Sequence, residues 1–236
     1  PEASGRWVEA NARDPRVQVV FNSLNLGVGG AVLAGMQKAV ADGCDILVKV
    51  DGDGQMDPGL IPTLVAPLLR GQADYSKGNR FYSVSFLEGM PKVRLFGNSA
   101  LSFLTKLTTG YWNLMDPTNG FIAIQASVFQ LIEAKRIEPR YFFETDLLFA
   151  LGLIRAKVVD VPMRARYADE KSSLRIGNIL WTFPRKHLGR IIRRIAYNYF
   201  LRDFNFGSVA LVASLPALLF GLSFGLYHWM KALQDG

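Results

Sequence analysis

Three observations predict an α/β fold with a mostly parallel sheet, followed by a membrane-anchoring tail. Helical stretches alternate with short β-rich runs from Gly5 to about Val161. One run, Asp45 to Val50, stops on two carboxylates in a glycine-rich turn, Asp51-Gly52-Asp53-Gly54-Gln55. After Arg175 the chain turns basic and then apolar, ending in 23 residues without a formal charge, Ser208 to Met230.

The elements follow from periodicity and punctuation. A helix is expected around Arg6–Arg13, a strand at Val17–Phe21, and a helix at Ala31–Ala41 after the turn Asn25-Leu26-Gly27-Val28-Gly29-Gly30. The apolar run Ile46–Val50 reads as a strand, the segment after Pro58 as a helix, and Ala73–Lys77 as a strand. Further on come a helix through Leu95–Leu107, a strand at Gly120–Ile124, helices at Ser127–Ala134 and Glu144–Leu153, and a strand at Lys157–Val161. The single cysteine, Cys44, excludes an internal disulfide, and its apolar setting reads as core. The opening Pro1-Glu2-Ala3-Ser4 carries no initiator Met or signal pattern, and a missing start is expected.

Beyond Arg175, Lys186, Arg190, Arg193 and Arg194 recur at helical spacing, with Leu188, Ile191, Ile192, Ile195 and Tyr199 opposite. This predicts a basic amphipathic helix lying beside a membrane. Ser208 to Met230 would span about 34 Å as a helix, enough for a hydrocarbon core of about 30 Å. Tyr227 and Trp229 suit the interface, and the Lys/Arg excess on the N-terminal side places the folded domain in the cytoplasm, at the cell membrane. The expected organisation is a catalytic domain over 1–175, the basic juxtamembrane helix over 176–205 and a transmembrane helix over 206–230. A net charge of +7 would also suit nucleic acid, but no nucleic-acid recognition motif is present, and a membrane is the better partner.

The carboxylate pair carries the chemistry. On a strand, Asp51 and Asp53 share a side, and the flanking glycines let a ligand approach the backbone. Mg²⁺ takes one or two protein carboxylates and completes its shell with water and phosphate oxygens, so the pair suggests a metal–diphosphate site. A calcium loop of the EF-hand type is excluded, because its twelfth position is Pro62 rather than Glu. The turn at Gly27–Gly30 does not match the dinucleotide fingerprint, whose last glycine is replaced by Val32.

Taken in order, Asn25 to Ala31, Asp51 to Gln55, Lys77-Gly78-Asn79-Arg80, Asp116-Pro117-Thr118-Asn119-Gly120-Phe121, and Tyr167 to Leu174 resemble family 2 glycosyltransferases. The branch they are most similar to is that of the polyprenyl-phosphate sugar transferases, of the dolichyl-phosphate mannose synthase type. The resemblance implies a GT-A fold, a nucleotide-diphosphate sugar as donor, Mg²⁺ or Mn²⁺, and inversion at the anomeric carbon. It makes Asp53 the principal metal ligand, with Asp51 facing nucleotide and metal and Gln55 in support. Asn25, Gly27, Gly29 and Gly30 would lie beside the nucleotide. Arg80 and Arg94 resemble phosphate-contacting positions, a role that suits the guanidinium fork. Arg166, Ser172 and Ser173 stand in a polar loop suited to close over an acceptor phosphate. Asp116 matches a position where relatives carry an acid, either orienting a neighbour or capping its loop. The family's first strand and acidic turn do not precede Pro1, and the Gln-x-x-Arg-Trp motif of processive synthases is missing, which disfavours polymerisation.

The expected reaction moves a single hexose to a polyprenyl phosphate. A phosphate acceptor needs no strong base, because its second pKa lies near ~6. Two other readings stay open at this point. One is an anchored transferase with a hydroxyl acceptor, requiring a base such as Asp116 or Glu144; the other is a non-catalytic membrane scaffold. A homo-oligomer is compatible with either enzyme reading.

Overall fold

The computed structural model describes residues 4–83, 92–163 and 176–235. By contacts the chain forms two compact units, Pro1–Arg190 and Ile191–Gly236. The first opens with helix α1 (Ser4–Asn11) and helix α2 (Gly27–Ala41), then strand β1 (Ile46–Lys49). A 3₁₀ turn at Pro58–Leu60 leads into α3 (Ile61–Leu69) and strand β2 (Tyr75–Asn79). Helix α4 (Lys92–Thr109), strand β3 (Ile122–Gln125), the short α5 (Ala126–Gln130), α6 (Phe143–Leu153) and strand β4 (Val158–Pro162) complete the core, and α7 (Ile176–Ala196) runs on from it into the second unit.

The α/β class holds, but the sheet is mixed rather than mostly parallel. Its order is β1-β3-β2-β4; β3 runs antiparallel to both neighbours, and only β2 and β4 pair in parallel. Strand direction leaves no trace in hydrophobic periodicity, so the reversal at β3 was invisible in the sequence. Alternation along β3 then divides the core. Ile122 and Ile124 face Leu33, Phe143, Leu147 and Leu151, while Phe121 and Ala123 face Leu64 and Leu68 of α3.

Two further expectations are corrected. Val17–Phe21 joins no ladder, and Val17, Val20 and Phe21 are about half exposed. Its β-branched composition is strand-like, but among the described residues no strand offers partners for its backbone groups; the side chains of Val19 and Phe21 instead crowd the space that a Cβ would take at Gly5 of α1. Cys44 is exposed, not core, because it follows the tight turn at Gly43 (φ +83°) between α2 and β1.

The helix α7 forms where the basic periodicity predicted it, but its charges are used differently. Lys186 Nζ pairs with Glu138 at 3.0 Å, and Arg190 engages both oxygens of Asp146 at 2.7 and 3.0 Å. Between them His187 is fully buried, with Nδ1 2.7 Å from Thr108 Oγ1 and its ring edge-on to Phe142. Leu188 and Ile192 are exposed instead. Buried Asp146, which also accepts from the Glu138 N–H at 2.9 Å, demands a cation, and this outweighs burial of two aliphatic side chains. Burial without a second partner for Nε2 holds the His187 imidazole down to about 4.

In the second unit, a π turn at Tyr197–Leu201 precedes α8 (Phe206–Asp235). Asn205 caps the start of α8: its Oδ1 accepts from Gly207 N–H at 2.8 Å, and Ser208 Oγ donates to Tyr199 O at 2.5 Å. This helix is long and apolar enough to cross a membrane, and its apolar side chains are exposed along its length.

Candidate active site

The ladder of β1 ends at Lys49, two residues before the carboxylate pair. Asp51 and Asp53 therefore lie on a turn, not a strand, and the alternation argument for their shared side does not apply. The turn itself brings them together. Asp53 Oδ1 accepts from Gln55 N–H at 3.0 Å, Gly54 takes φ +74°, and Asp57 Oδ1 accepts from Gly59 N–H at 2.9 Å to start the 3₁₀ turn. Asp51, Asp53, Gln55 and Met56 then line an open cleft of about 110 Å³, together with Arg80, Thr118, Asn119, Gly120 and Met163.

The second wall is built by the Asp116–Phe121 segment. Asp116 is a buried residue with φ +53°, a left-handed conformation rare outside glycine. Its carbonyl accepts from Asn119 N–H at 3.0 Å, closing a turn through Pro117, and Lys77 Nζ caps the carbonyls of Met115 and Asp116 at 2.8 and 2.5 Å. The carboxylate accepts from Arg80 Nε and Nη2, both at 2.6 Å, from Arg80 N–H at 3.1 Å and from Asn119 Nδ2 at 3.2 Å. Burial would raise the Asp116 pKa, but Arg80's bonds and charge, with Lys77 nearby, outweigh it and hold the group below the ordinary carboxylate range. Asp116 is thus an ionised clamp on Arg80, which fixes the guanidinium plane at the cleft wall.

Lys77 is wholly buried, and desolvation lowers its pKa despite Asp160, whose Oδ1 stands 3.7 Å away. Asp160 in turn accepts from Asn79 Nδ2 and Met115 N–H through Oδ2, at 2.9 and 2.7 Å, and burial pushes its carboxyl up. This polar column across β2 and β4 locks the loop that carries Asp116.

The other residues named from the sequence lie elsewhere. Asn25 Oδ1 accepts from Gly27 N–H at 2.9 Å, and Gly29 is pressed against Phe143, where a Cβ would stand 2.6 Å from the Phe143 Cβ. The turn Gly27–Gly30 thus serves helix seating on the Glu138–Phe143 segment and does not line the cleft. Arg94 falls on α4, and its side chain lies outside the described residues, as do Arg166, Ser172 and Ser173. Sequence reasoning missed Lys49, Lys77, Asp160, Thr118 and Asn119 as site residues. The signal for two of them was a charge inside an apolar run, Ile-Leu-Val-Lys49-Val and Val-Val-Asp160-Val; Lys77, in Tyr-Ser-Lys-Gly-Asn, carried no such signal.

The donor set can be tested against a divalent cation. Among the described residues no three His, Cys, Asp or Glu side chains converge on one point, so an all-protein cage is not formed. Two carboxylates and an amide in a cleft that also holds a guanidinium fit a cation that draws its remaining ligands from water and phosphate.

Comparison with known proteins places this architecture. The family model described as "Glycosyl transferase family 2" matches residues 3–132. A UDP-N-acetylglucosamine–dolichyl-phosphate N-acetylglucosaminyltransferase of Methanococcus voltae is 30% identical over 154 residues, 65% of this chain and 61% of that one. An undecaprenyl-phosphate mannosyltransferase of Micrococcus luteus is 30% identical over 165 residues, covering 69% and 67% of the two chains. Among solved structures, glucosyl-3-phosphoglycerate synthase from Mycobacterium tuberculosis, in complex with Mn²⁺, uridine-diphosphate-glucose and phosphoglyceric acid, aligns with a TM-score of 0.46 at 21% identity, over 75% of this chain and 57% of that one. The chain belongs to glycosyl transferase family 2, and its first unit carries the GT-A class of fold. The match to the archaeal transferase spans about three-fifths of that protein's length.

Proposed function

We propose that this chain belongs to an inverting glycosyltransferase that moves one hexose from a nucleotide-diphosphate sugar to the phosphate of a polyprenyl lipid, at the cytoplasmic face of the membrane. The observation that carries this reading is the cleft in which Asp51, Asp53 and Gln55 share one opening with Arg80, itself clamped by Asp116. Carboxylates suited to a divalent cation beside a fixed guanidinium match a diphosphate in both charge and geometry. Relatives named as polyprenyl-phosphate transferases support the acceptor class. Helix α8 supports a membrane location, and the basic residues preceding it support the cytoplasmic side.

Asp53, with Gln55 and Asp51 beside it, would hold Mg²⁺ or Mn²⁺, which when bound supplies positive charge against the departing diphosphate. Arg80, its charge partly balanced by ionised Asp116, contributes a guanidinium held in fixed orientation at the same wall. The acceptor phosphate is largely a dianion at neutral pH, with its second pKa near ~6. One of its oxygens forms the new bond to the anomeric carbon, the bond to the diphosphate breaks, and the electron pair leaves on the diphosphate. No proton has to be removed, so Asp116 can keep its bonds to Arg80 throughout. That engagement weighs against a hydroxyl acceptor with Asp116 as base. Arg94, Arg166, Ser172 and Ser173 are proposed on the acceptor side from the resemblance alone. The test is transfer of radiolabelled sugar from a panel of nucleotide donors into polyprenyl phosphate in vesicles holding the full-length protein. Lipid-soluble label that disappears with EDTA and returns with Mn²⁺ is expected; label released only as free sugar would overturn the acceptor.

A further inference from the structure

Lys49 is a buried cation directly behind the carboxylate pair, and the reaction just described does not use it. Its Nζ lies 2.8 and 2.9 Å from the two oxygens of Asp51, donates to Gly120 O at 3.2 Å, and stands 3.8 Å from Glu144 Oε1. With the side chain 5% exposed, these groups rather than water hold its charge. Gly120 shows how closely the ammonium is seated, since any Cβ there would collide with Nζ. Asp53, by contrast, meets no cation among the described residues and accepts from Gln55 N–H.

We propose that Lys49 is a resident counter-ion that makes metal uptake by the cleft depend on the diphosphate, a specificity role that rests on the metal–diphosphate reading above. With the ammonium against it, Asp51 offers little net negative charge to a bare dication, and Asp53 faces the ion nearly alone. The dication must also tolerate a like charge only a few ångström away. A nucleoside diphosphate brings several negative charges of its own, offsetting Lys49 and the metal together. Metal alone is therefore held weakly and metal with diphosphate strongly, and the coupling is reciprocal. Glu144 shares the ammonium with Asp51 and so sets how much of its charge Asp51 must balance.

The test is Mn²⁺ binding to the whole 236-residue chain in detergent, followed by the EPR signal of free Mn²⁺, with and without saturating UDP or GDP. For Lys49→Met, affinity for Mn²⁺ alone should rise by roughly five- to fiftyfold, the range a unit charge about 4–8 Å from a dication gives when screened nearly as in bulk water, and the enhancement by nucleotide should shrink. Lys49→Arg, which keeps the charge, should stay near wild type, and Glu144→Gln should weaken binding of Mn²⁺ alone. A merely structural lysine would not tighten metal binding on removal. Unchanged or weakened Mn²⁺ affinity in a Lys49→Met protein that melts like wild type overturns the proposal. If that variant does not fold, unchanged Mn²⁺ affinity in Glu144→Gln does so. A wild-type chain that binds Mn²⁺ neither alone nor with either nucleotide overturns the metal reading itself, before any variant is made.

Discussion

Arg80 and Asp116 are joined by two parallel hydrogen bonds of 2.6 Å, with the carboxylate wholly buried and the guanidinium at the cleft wall. The two side chains therefore act as one unit. Arg80→Ala and Asp116→Ala should each lower kcat/KM by about 2–5 kcal/mol, the usual cost of removing one member of a desolvated charge pair. The double variant should be little worse than the more damaging single one. A double-mutant cycle on transfer to polyprenyl phosphate reads this, and additive losses would separate the two roles.

Because Asp116 is needed to hold Arg80, its loss alone cannot distinguish a clamp from a general base. The pH profile can. With a phosphate acceptor, kcat/KM should fall as pH drops below about 6 and the acceptor becomes a monoanion, and that limb should persist in Asp116→Asn. A limb that vanished in Asp116→Asn would assign it to the aspartate.

His187 links acid to the seating of α7. Its folded pKa of about 4 lies below the ordinary 6.5, so between these values the unfolded chain binds the proton and the folded chain does not. Stability contributed by the neutral imidazole is present above pH 6.5 and is lost as pH falls toward 4. From pH 7 to 5 this group alone should cost about 2 kcal/mol. Urea titrations of wild type and His187→Gln across that range check the sign: the variant should show a shallower loss on acidification.

Helix α8 should account for integral membrane association. The full chain should resist extraction by alkaline carbonate, and a chain ending at Phe204 should be released by it. Retention of the shortened chain until detergent is added would move the anchor elsewhere.

Much of this architecture was legible before the structure. Apolar stretches bounded by turn residues placed α2 and α6 within a few residues, the long uncharged span placed α8, and the ordered motifs pointed to the family. Asp51, Asp53, Gln55 and Arg80 do meet in one cleft. What sequence could not convey was partnership. Lys186 and Arg190 have the pattern of a solvated basic face, yet Glu138 and Asp146, some forty residues away, turn them inward. Asp116 has the chemistry of a base, and only the distances to Arg80 make it a clamp. Lys49 is a lone charge in an apolar strand and Lys77 a buried charge in a polar one, and the meaning of both rests on carbonyls and carboxylates brought in by other segments.

In the proposed reaction the sugar arrives on a lipid phosphate. Tandem mass spectrometry of the lipid formed by the full-length protein, from polyprenyl phosphate and each nucleotide sugar with Mn²⁺, tests it most directly. The expected product is heavier by one hexose, with fragments that carry sugar and phosphate together, and none should form with the Asp53→Asn protein. A sugar found on a hydroxyl group, or an unchanged Asp53→Asn enzyme, would contradict it.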